Sequence, residues 1–247
     1  MHDDGLRPAT TPGSALRLWP LPLIAGLLPA AASLLALWLS VRLGLIPACN
    51  PFVEGCVSVS RAARHDLPNY LFRAAVLPAA ALQAVTWLLV AHWLRDLATG
   101  RDARSLRALA PLGLIAGAAL AVYGAFLGTE GPIYRWLRQY GTVVYFGFTC
   151  LCMLIAGGAI DRLARAGTLA LPALLTRALL LLFAALVALG LFNALAGLWL
   201  DGGAKDRVEN VTEWWGSLIF TLVFLALALI WRRCDLRLTL AMRPPSR

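Results

Sequence analysis

The chain has 247 residues, of which 60% are hydrophobic and only 14% are charged, with a net charge of +9. A soluble domain of this length keeps about a quarter of its residues charged to cover its surface. This composition excludes a water-soluble globule and indicates a protein whose solvent is the lipid bilayer.

Six stretches are long and apolar enough to cross a bilayer, which takes about 20 mostly apolar residues in a helix. The predicted spans are Leu21–Val41, Phe72–Leu94, Ala108–Leu127, Gly141–Ile160, Ala178–Leu200 and Trp215–Trp231. The first is too long for the apolar region of a signal peptide, which is about 7 to 15 residues, so we expect a retained helix. The sequence therefore predicts an all-α transmembrane bundle forming one integral-membrane domain over residues 1–247.

The distribution of basic residues predicts the orientation of the bundle. With the N-terminus inside, 14 basic residues lie on the cytoplasmic side and 8 on the outer side, and cytoplasmic loops carry the excess of arginine and lysine. We therefore expect both termini in the cytoplasm. This topology accounts for the net charge, so nucleic-acid binding is not indicated.

The composition also bears on the source of the protein. Of the 22 basic residues only Lys205 is a lysine, and alanine and leucine dominate the chain. This bias is typical of GC-rich bacterial genomes, so we expect a multi-pass protein of a bacterial inner membrane.

The stretch CNPFVEGC places Cys49 and Cys56 in the first predicted outer loop. A structural disulfide is favoured on that oxidising side, with free thiols as the alternative. A redox site would favour C-x-x-C spacing, and a metal site needs more cysteines or histidines than His65 alone supplies. No metal site and no cofactor is indicated. The other cysteines, Cys150, Cys152 and Cys234, are expected to be reduced.

Polar residues and glycines inside the spans predict helix packing. Gln83 and Asn193 are expected to form hydrogen bonds across helices rather than to bind a solute, which disfavours a transporter. Gly113 and Gly117, and Gly124 and Gly128, are spaced four residues apart in the third span. Such small-residue ridges let helix backbones approach closely.

The second outer loop reads GTEGPIYRWLRQYG. Pro132 suits the first turn of a helix, and an apolar face follows at helical spacing, to lie on lipid or on the bundle. Arg135 and Arg138 would then face lipid phosphates. The apolar face consists of Ile133, Trp136, Leu137 and Tyr140.

The third outer loop brings Glu209 and Glu213 onto one helical face, just before the interfacial pair Trp214–Trp215. If the loops converge, these two carboxylates share a mouth with Glu54 and Glu130. Carboxylates at a membrane surface can act as general acid and base on a lipid ester if burial keeps one protonated. The alternative is a solvated, salt-bridged rim, and Glu213 is the best candidate for a desolvated group.

The segment ENVTEWWGSLIF, with six spans and polar outer loops, resembles the Frag/DRAM/Sfk membrane proteins, which share the Cwh-type N-terminal domain. The matching residues are Glu209, Asn210, Glu213 and Trp214, and GTEG with Tyr134 and Tyr140 is similar to the same pattern. The family includes a GPI-anchor remodelling protein and the damage-regulated autophagy modulators. The resemblance implies a role in lipid or lipid-anchor remodelling or in lipid organisation.

The leading hypothesis is an outward polar site that engages membrane lipids or lipid-linked molecules, with protein partners left open. Its catalytic candidates are Glu213, Glu130 and Glu209, and its lipid- or phosphate-binding candidates are Arg135, Arg138, Asn210 and Trp214. One alternative is a lipid hydrolase or acyl transferase in which Glu213 or Glu130 is the acid–base group. A small-solute transporter and a non-catalytic scaffold are the others, and no standard enzyme motif such as G-x-S-x-G or H-E-x-x-H is present.

Overall fold

The computed structural model describes residues 15–98 and 102–239, and this part of the chain is almost entirely helical. Six of its helices are long and apolar enough to cross a membrane, which confirms the predicted all-α transmembrane bundle. The elements are β1 (Leu16–Arg17), α1 (Pro20–Arg42), α2 (Val59–Ala62), α3 (Asp66–Leu97), α4 (Asp102–Ser105), α5 (Leu109–Phe126), α6 (Pro132–Arg165), α7 (Ala173–Trp199), α8 (Gly202–Arg233) and β2 (Arg237–Leu238). The spans are α1, α3, α5, α6, α7 and α8.

The two ends of the described chain meet on one side of the bundle, where β1 and β2 pair antiparallel, with Leu16 opposite Leu238. We call this the terminal side, and the opposite side, which carries Cys49 and Cys56, the disulfide side. Four of the arginines in the charge count, Arg7, Arg101, Arg243 and Arg247, lie outside the described residues.

Two helices extend well beyond the apolar stretches that predict them. Helix α6 begins at Pro132, as the proline indicated, and continues unbroken into the span. Helix α8 begins at Gly202, so the predicted third loop is helical and Glu209 and Glu213 lie on regular helix. The reason is that hydropathy detects only the part of a helix that needs lipid, whereas backbone hydrogen bonding continues through the polar turns.

Burial is unequal among the spans. The apolar window of α8 is 61% buried inside the protein, whereas that of α7 is 17% buried. Helix α8 packs against α1 on one side and α7 on the other, and α5 packs between α3 and α6. The core of the bundle is therefore built around α1, α3, α5, α6 and α8, with α7 at the edge.

The glycine ridge of α5 packs directly on α3, as its spacing predicted. A Cβ added at Gly113 would lie 2.2 Å from the Trp87 Cβ, and one added at Gly117 would lie 2.7 Å from the Ala84 Cβ. These contacts leave no room for a methyl group. The small residues therefore set the distance between the two helices.

Gln83 supplies a hydrogen bond that Pro29 removes from α1. A proline has no N–H, so the carbonyl four residues earlier in its helix loses its partner. That carbonyl belongs to Ala25, and it accepts a hydrogen bond from the Gln83 Nε2 at 3.0 Å. Tyr145 donates its hydroxyl to the Gln83 Oε1 at 3.0 Å, so one amide joins α1, α3 and α6.

Asn193 is also bonded across helices, because its Oδ1 accepts a hydrogen bond from the Thr212 hydroxyl at 3.0 Å. The predicted interhelical roles of Gln83 and Asn193 are confirmed.

We expect Gly113→Ala to lower the stability of the bundle by about 1–3 kcal/mol, because the added methyl overpacks the α3–α5 contact. The matched control is Gly190→Ala in α7, where nothing lies within 4 Å of an added Cβ. That change should be neutral or slightly stabilising, since alanine favours helix over glycine by about 1 kcal/mol. Thermal unfolding of the two variants in detergent measures the difference, and equal midpoints would contradict the assigned packing.

Candidate functional site

A disulfide joins Cys49 and Cys56, with the two Cα atoms 6.6 Å apart. The predicted disulfide is confirmed, and Cys150, Cys152 and Cys234 are free, as expected. Inside the closed loop the Glu54 carboxylate accepts a hydrogen bond from the Asn50 backbone N–H at 2.7 Å. The bridge and this bond hold residues 49–56 as a rigid cap on the disulfide side, which we call the disulfide loop.

The disulfide loop is seated on α8. Gly55 has a φ of +61°, and a Cβ there would lie 2.2 Å from the backbone oxygen of Arg207. Glycine is needed at this position because of both the left-handed backbone and the close approach. The loop can therefore lie flat against the first turns of α8.

Three side chains of α8 donate hydrogen bonds to backbone oxygens of the disulfide loop and the residue that follows it. The Asn210 Nδ2 donates to Gly55 at 2.8 Å, the Trp214 Nε1 to Val57 at 2.8 Å and the Trp215 Nε1 to Phe52 at 3.0 Å. The Phe52 ring also packs on both indoles, with centroid distances of 5.4 and 5.6 Å. The predicted lipid-binding residues Asn210 and Trp214 thus join α8 to the loop through their amide and indole N–H groups.

Glu213 lies on α8 between these anchors and is half-buried. Its carboxylate interacts with the backbone N–H groups of Val59 and Ser60 at the start of α2, and with the positive charge of Arg64. Backbone N–H groups at the first turn of a helix favour a negatively charged neighbour. The site therefore offers an acidic group that lies near backbone N–H groups and a positive charge.

Glu213 lines an elongated space inside the bundle, which we call the central cavity. Its empty volume, mouth included, is about 910 Å³, and residues of α1, α3, α5, α6 and α8 line it. Glu213, Phe52 and Val59 lie at its disulfide-side end, while Gln83 and Phe224 lie near the middle of the bundle. The lining is thus mostly apolar, with some hydroxyl groups and the Gln83 amide, and the one charged residue among the described lining residues lies at one end.

Two arginines approach the charged end of the central cavity. Tyr123 lines the cavity. The charges of Arg64, Arg138 and Glu213 all lie close enough to its phenol group to act on it electrostatically. Within the described ranges the buried Arg64 Nε has no hydrogen-bond partner. Neither arginine lines the cavity, so both supply positive charge near its charged end from behind the lining residues.

The predicted phosphate ligands Arg135 and Arg138 lie in different settings. Arg138 donates to the backbone oxygens of Phe126 and Thr129, so its guanidinium ties α6 to the end of α5. Arg135 is exposed on the first turns of α6. Ile133, Trp136 and Tyr140 on the same helix are exposed as well, so this apolar face turns away from the bundle.

A second opening, which we call the lateral cleft, separates the disulfide-side halves of α6 and α7. Its empty volume is about 1360 Å³, and Glu209, Glu213 and Asn193 line it together with Gly147 and Gly190. Nothing lies within 4 Å of a Cβ added at either glycine. Glu213 therefore stands in the wall between the lateral cleft and the central cavity.

The other carboxylates do not share the central cavity with Glu213. Glu209 lines the lateral cleft and lies 3.9 Å from the Lys205 ammonium. Glu54 lines a separate groove beside the disulfide loop. Glu130 is exposed in the connection before α6. Of the four carboxylates predicted to share a mouth, Glu209 and Glu213 line one common opening, the lateral cleft, and neither Glu54 nor Glu130 lines it.

Sequence reasoning did not single out Tyr123, Tyr145 or Arg64 for this site. Both tyrosines line the central cavity. Their phenol groups, inside otherwise apolar spans, are the sequence feature that could have identified them as site residues. Arg64 was one of several polar residues in the first loop, and nothing in its spacing distinguishes it from Arg61.

We expect Trp214→Phe to destabilise the protein by about 1–3 kcal/mol, because it leaves the buried Val57 carbonyl without its donor. Trp215→Phe is the matched control, since it removes the same kind of bond from an indole that is 43% exposed, against 2% for Trp214. Water can replace the donor there, so the cost should be smaller. Thermal unfolding in detergent compares them, and an equal loss in both would contradict the role assigned to Trp214.

No family model, curated protein or solved structure matches the chain.

Proposed function

We propose that this protein engages membrane lipids or lipid-linked molecules at the disulfide-side end of the central cavity and takes part in their remodelling or organisation. The observation that carries the proposal is the position of Glu213, the one charged residue among the described residues that line the central cavity, at one end of a mostly apolar lining. A site of this polarity suits a molecule with a polar head and an apolar tail. The resemblance to the Frag/DRAM/Sfk proteins in the segment around Glu213 agrees with this proposal.

The chemistry available at the site is proton transfer next to a positive charge. The Glu213 carboxylate can accept a proton from a hydroxyl that attacks a lipid ester, and return it to the leaving oxygen. The positive charge of Arg64 lies on the same side and favours negative charge on a phosphate or carbonyl oxygen. A proton acceptor and a neighbouring positive charge are the groups that hydrolysis or acyl transfer of a lipid ester needs at the least. If the protein is an enzyme, this is the reaction that we propose.

We further propose that the disulfide side faces the outside of a bacterial inner membrane. A disulfide persists in oxidising compartments, and the described loop on this side carries one. The excess of basic residues in the segments that the sequence predicts to be cytoplasmic agrees with this orientation.

A transporter is supported less well. The two polar residues that would serve a solute pathway, Gln83 and Asn193, are both bonded to other helices. A scaffold would make use of the exposed helix α7 and would not require Glu213.

The proposal predicts that deleting the gene shifts a lipid or lyso-lipid pool in a chain-resolved lipid profile, and that wild-type protein restores it. Glu213→Gln should fail to restore the pool at matched protein levels, because the amide cannot carry the proton. If the protein is catalytic, turnover should fall about 100-fold or more.

Glu130→Gln is the matched control, because Glu130 is exposed and lies outside the central cavity. It should restore the profile fully. If Glu213→Gln restored the lipid profile and Glu130→Gln did not, the functional site would have to lie at the second loop. An unchanged lipid profile in every strain would overturn the proposed function.

A further inference from the structure

The central cavity is long and narrow, and its length matches one leaflet of a membrane. Along α8 it follows a single helical face through Glu213, Ser217, Phe220 and Phe224. Glu213 and Phe224 are eleven positions apart, which is roughly 16 Å at 1.5 Å per residue. This is about half of a hydrocarbon core of about 30 Å, so the cavity runs from the disulfide-side surface to the middle of the bilayer.

The deep end of the cavity is closed and has little to offer a polar molecule. At Gly26 the helices α1 and α8 come so close that an added Cβ would lie 2.6 Å from the Phe224 Cβ. The amide of Gln83 is already bonded to Ala25 and Tyr145. A ligand that reaches this depth must therefore be apolar.

The side of the cavity opens toward lipid. Leu34 of α1 and Leu218 of α8 both line it, yet they are 52% and 36% exposed on the outer surface of the bundle. The opening thus lies between α1 and α8, on the disulfide side of their contact at Gly26. Phe52 and Trp214 cover the top of the cavity, so the route through the hydrocarbon is less obstructed than the route through water.

We infer that the central cavity binds one hydrocarbon chain of a membrane lipid, which enters sideways between α1 and α8. The polar end of that chain, its ester or head group, lies beside Glu213, and its apolar end lies against Phe224. The inference deepens the proposed function by naming the class of molecule and its direction of approach. An extended chain advances about 1.2 Å per single bond, so roughly 13 bonds fit into the cavity.

The probe is a phosphatidylethanolamine with an alkyne at the end of one acyl chain and a photoreactive diazirine on the same chain. The full-length protein is reconstituted into vesicles that contain this lipid, irradiated, digested and mapped by mass spectrometry. With the diazirine near the ester, labelling should fall on residues 213–217 and on the disulfide loop. With the diazirine near the chain end, it should move to residues 220–224 and to Gly26.

Ala30→Phe and Ala31→Phe form a matched pair of variants. Ala30 lines the central cavity, whereas Ala31 is exposed on the outer face of the same helix. Ala30→Phe should lower cavity labelling about tenfold, the loss expected if the ring displaces on the order of 1.4 kcal/mol of chain burial. Ala31→Phe should leave it unchanged. Equal labelling in both variants, or labelling confined to outward-facing residues, would overturn the inference.

Two readouts keep the inference and the proposed function separable. The depth-dependent labelling of the wild type needs no variant, so it decides the inference even if Ala30→Phe fails to fold. Glu213→Gln should still be labelled, because the chain binds through apolar contacts. If the cavity is labelled but the lipid profile of the deletion strain is unchanged, only the proposed function is wrong. If the lipid profile shifts but the cavity is not labelled, only the inference about the hydrocarbon chain is wrong.

Discussion

The candidate site depends on the contact between the disulfide loop and the first turns of α8. The loop has no hydrophobic core of its own, so its position comes from the bridge between Cys49 and Cys56 and from hydrogen bonds that Asn210 and Trp214 donate. The same contact brings Val59, at the start of α2, together with Glu213 in the lining of the central cavity. The position of the loop and the setting of Glu213 thus both depend on the disulfide and on the hydrogen bonds from α8.

The deep end of the central cavity depends on a second local constraint, the proline in α1. Pro29 leaves the Ala25 carbonyl without its helical partner, and in a membrane no water is present to replace it. Gln83 supplies the missing donor and binds Tyr145 with its other end. A polar residue in mid-membrane can indicate a solute pathway. Gln83 instead replaces a missing helical hydrogen bond and lines the deep end of the central cavity.

Much of the fold could be predicted from the sequence, because lipid imposes simple rules on length and hydropathy. The six spans, the disulfide, the start of α6 at Pro132 and the packing of Gly113 and Gly117 all follow from local chemistry. The polar turns of α8 before Trp215 could not be recognised in this way, since hydropathy does not distinguish a polar helix from a loop. The shared lining of the central cavity by Glu213, Tyr123 and Tyr145 depends on the arrangement of α8, α5 and α6, which no spacing in the chain encodes.

Glu213 lies between two openings of the bundle, which are formed by different helices. On one side the central cavity opens between α1 and α8, and on the other the lateral cleft opens between α6 and α7. The two openings differ in construction, because α8 is the most buried of the spans and α7 the least. Gly157 holds α6 and α7 together toward the terminal side by admitting the Phe183 ring, while Gly147 and Gly190 leave them apart on the disulfide side. Helices α6 and α7 are therefore in close contact toward the terminal side, whereas the half-buried Glu213 lies between two openings on the disulfide side.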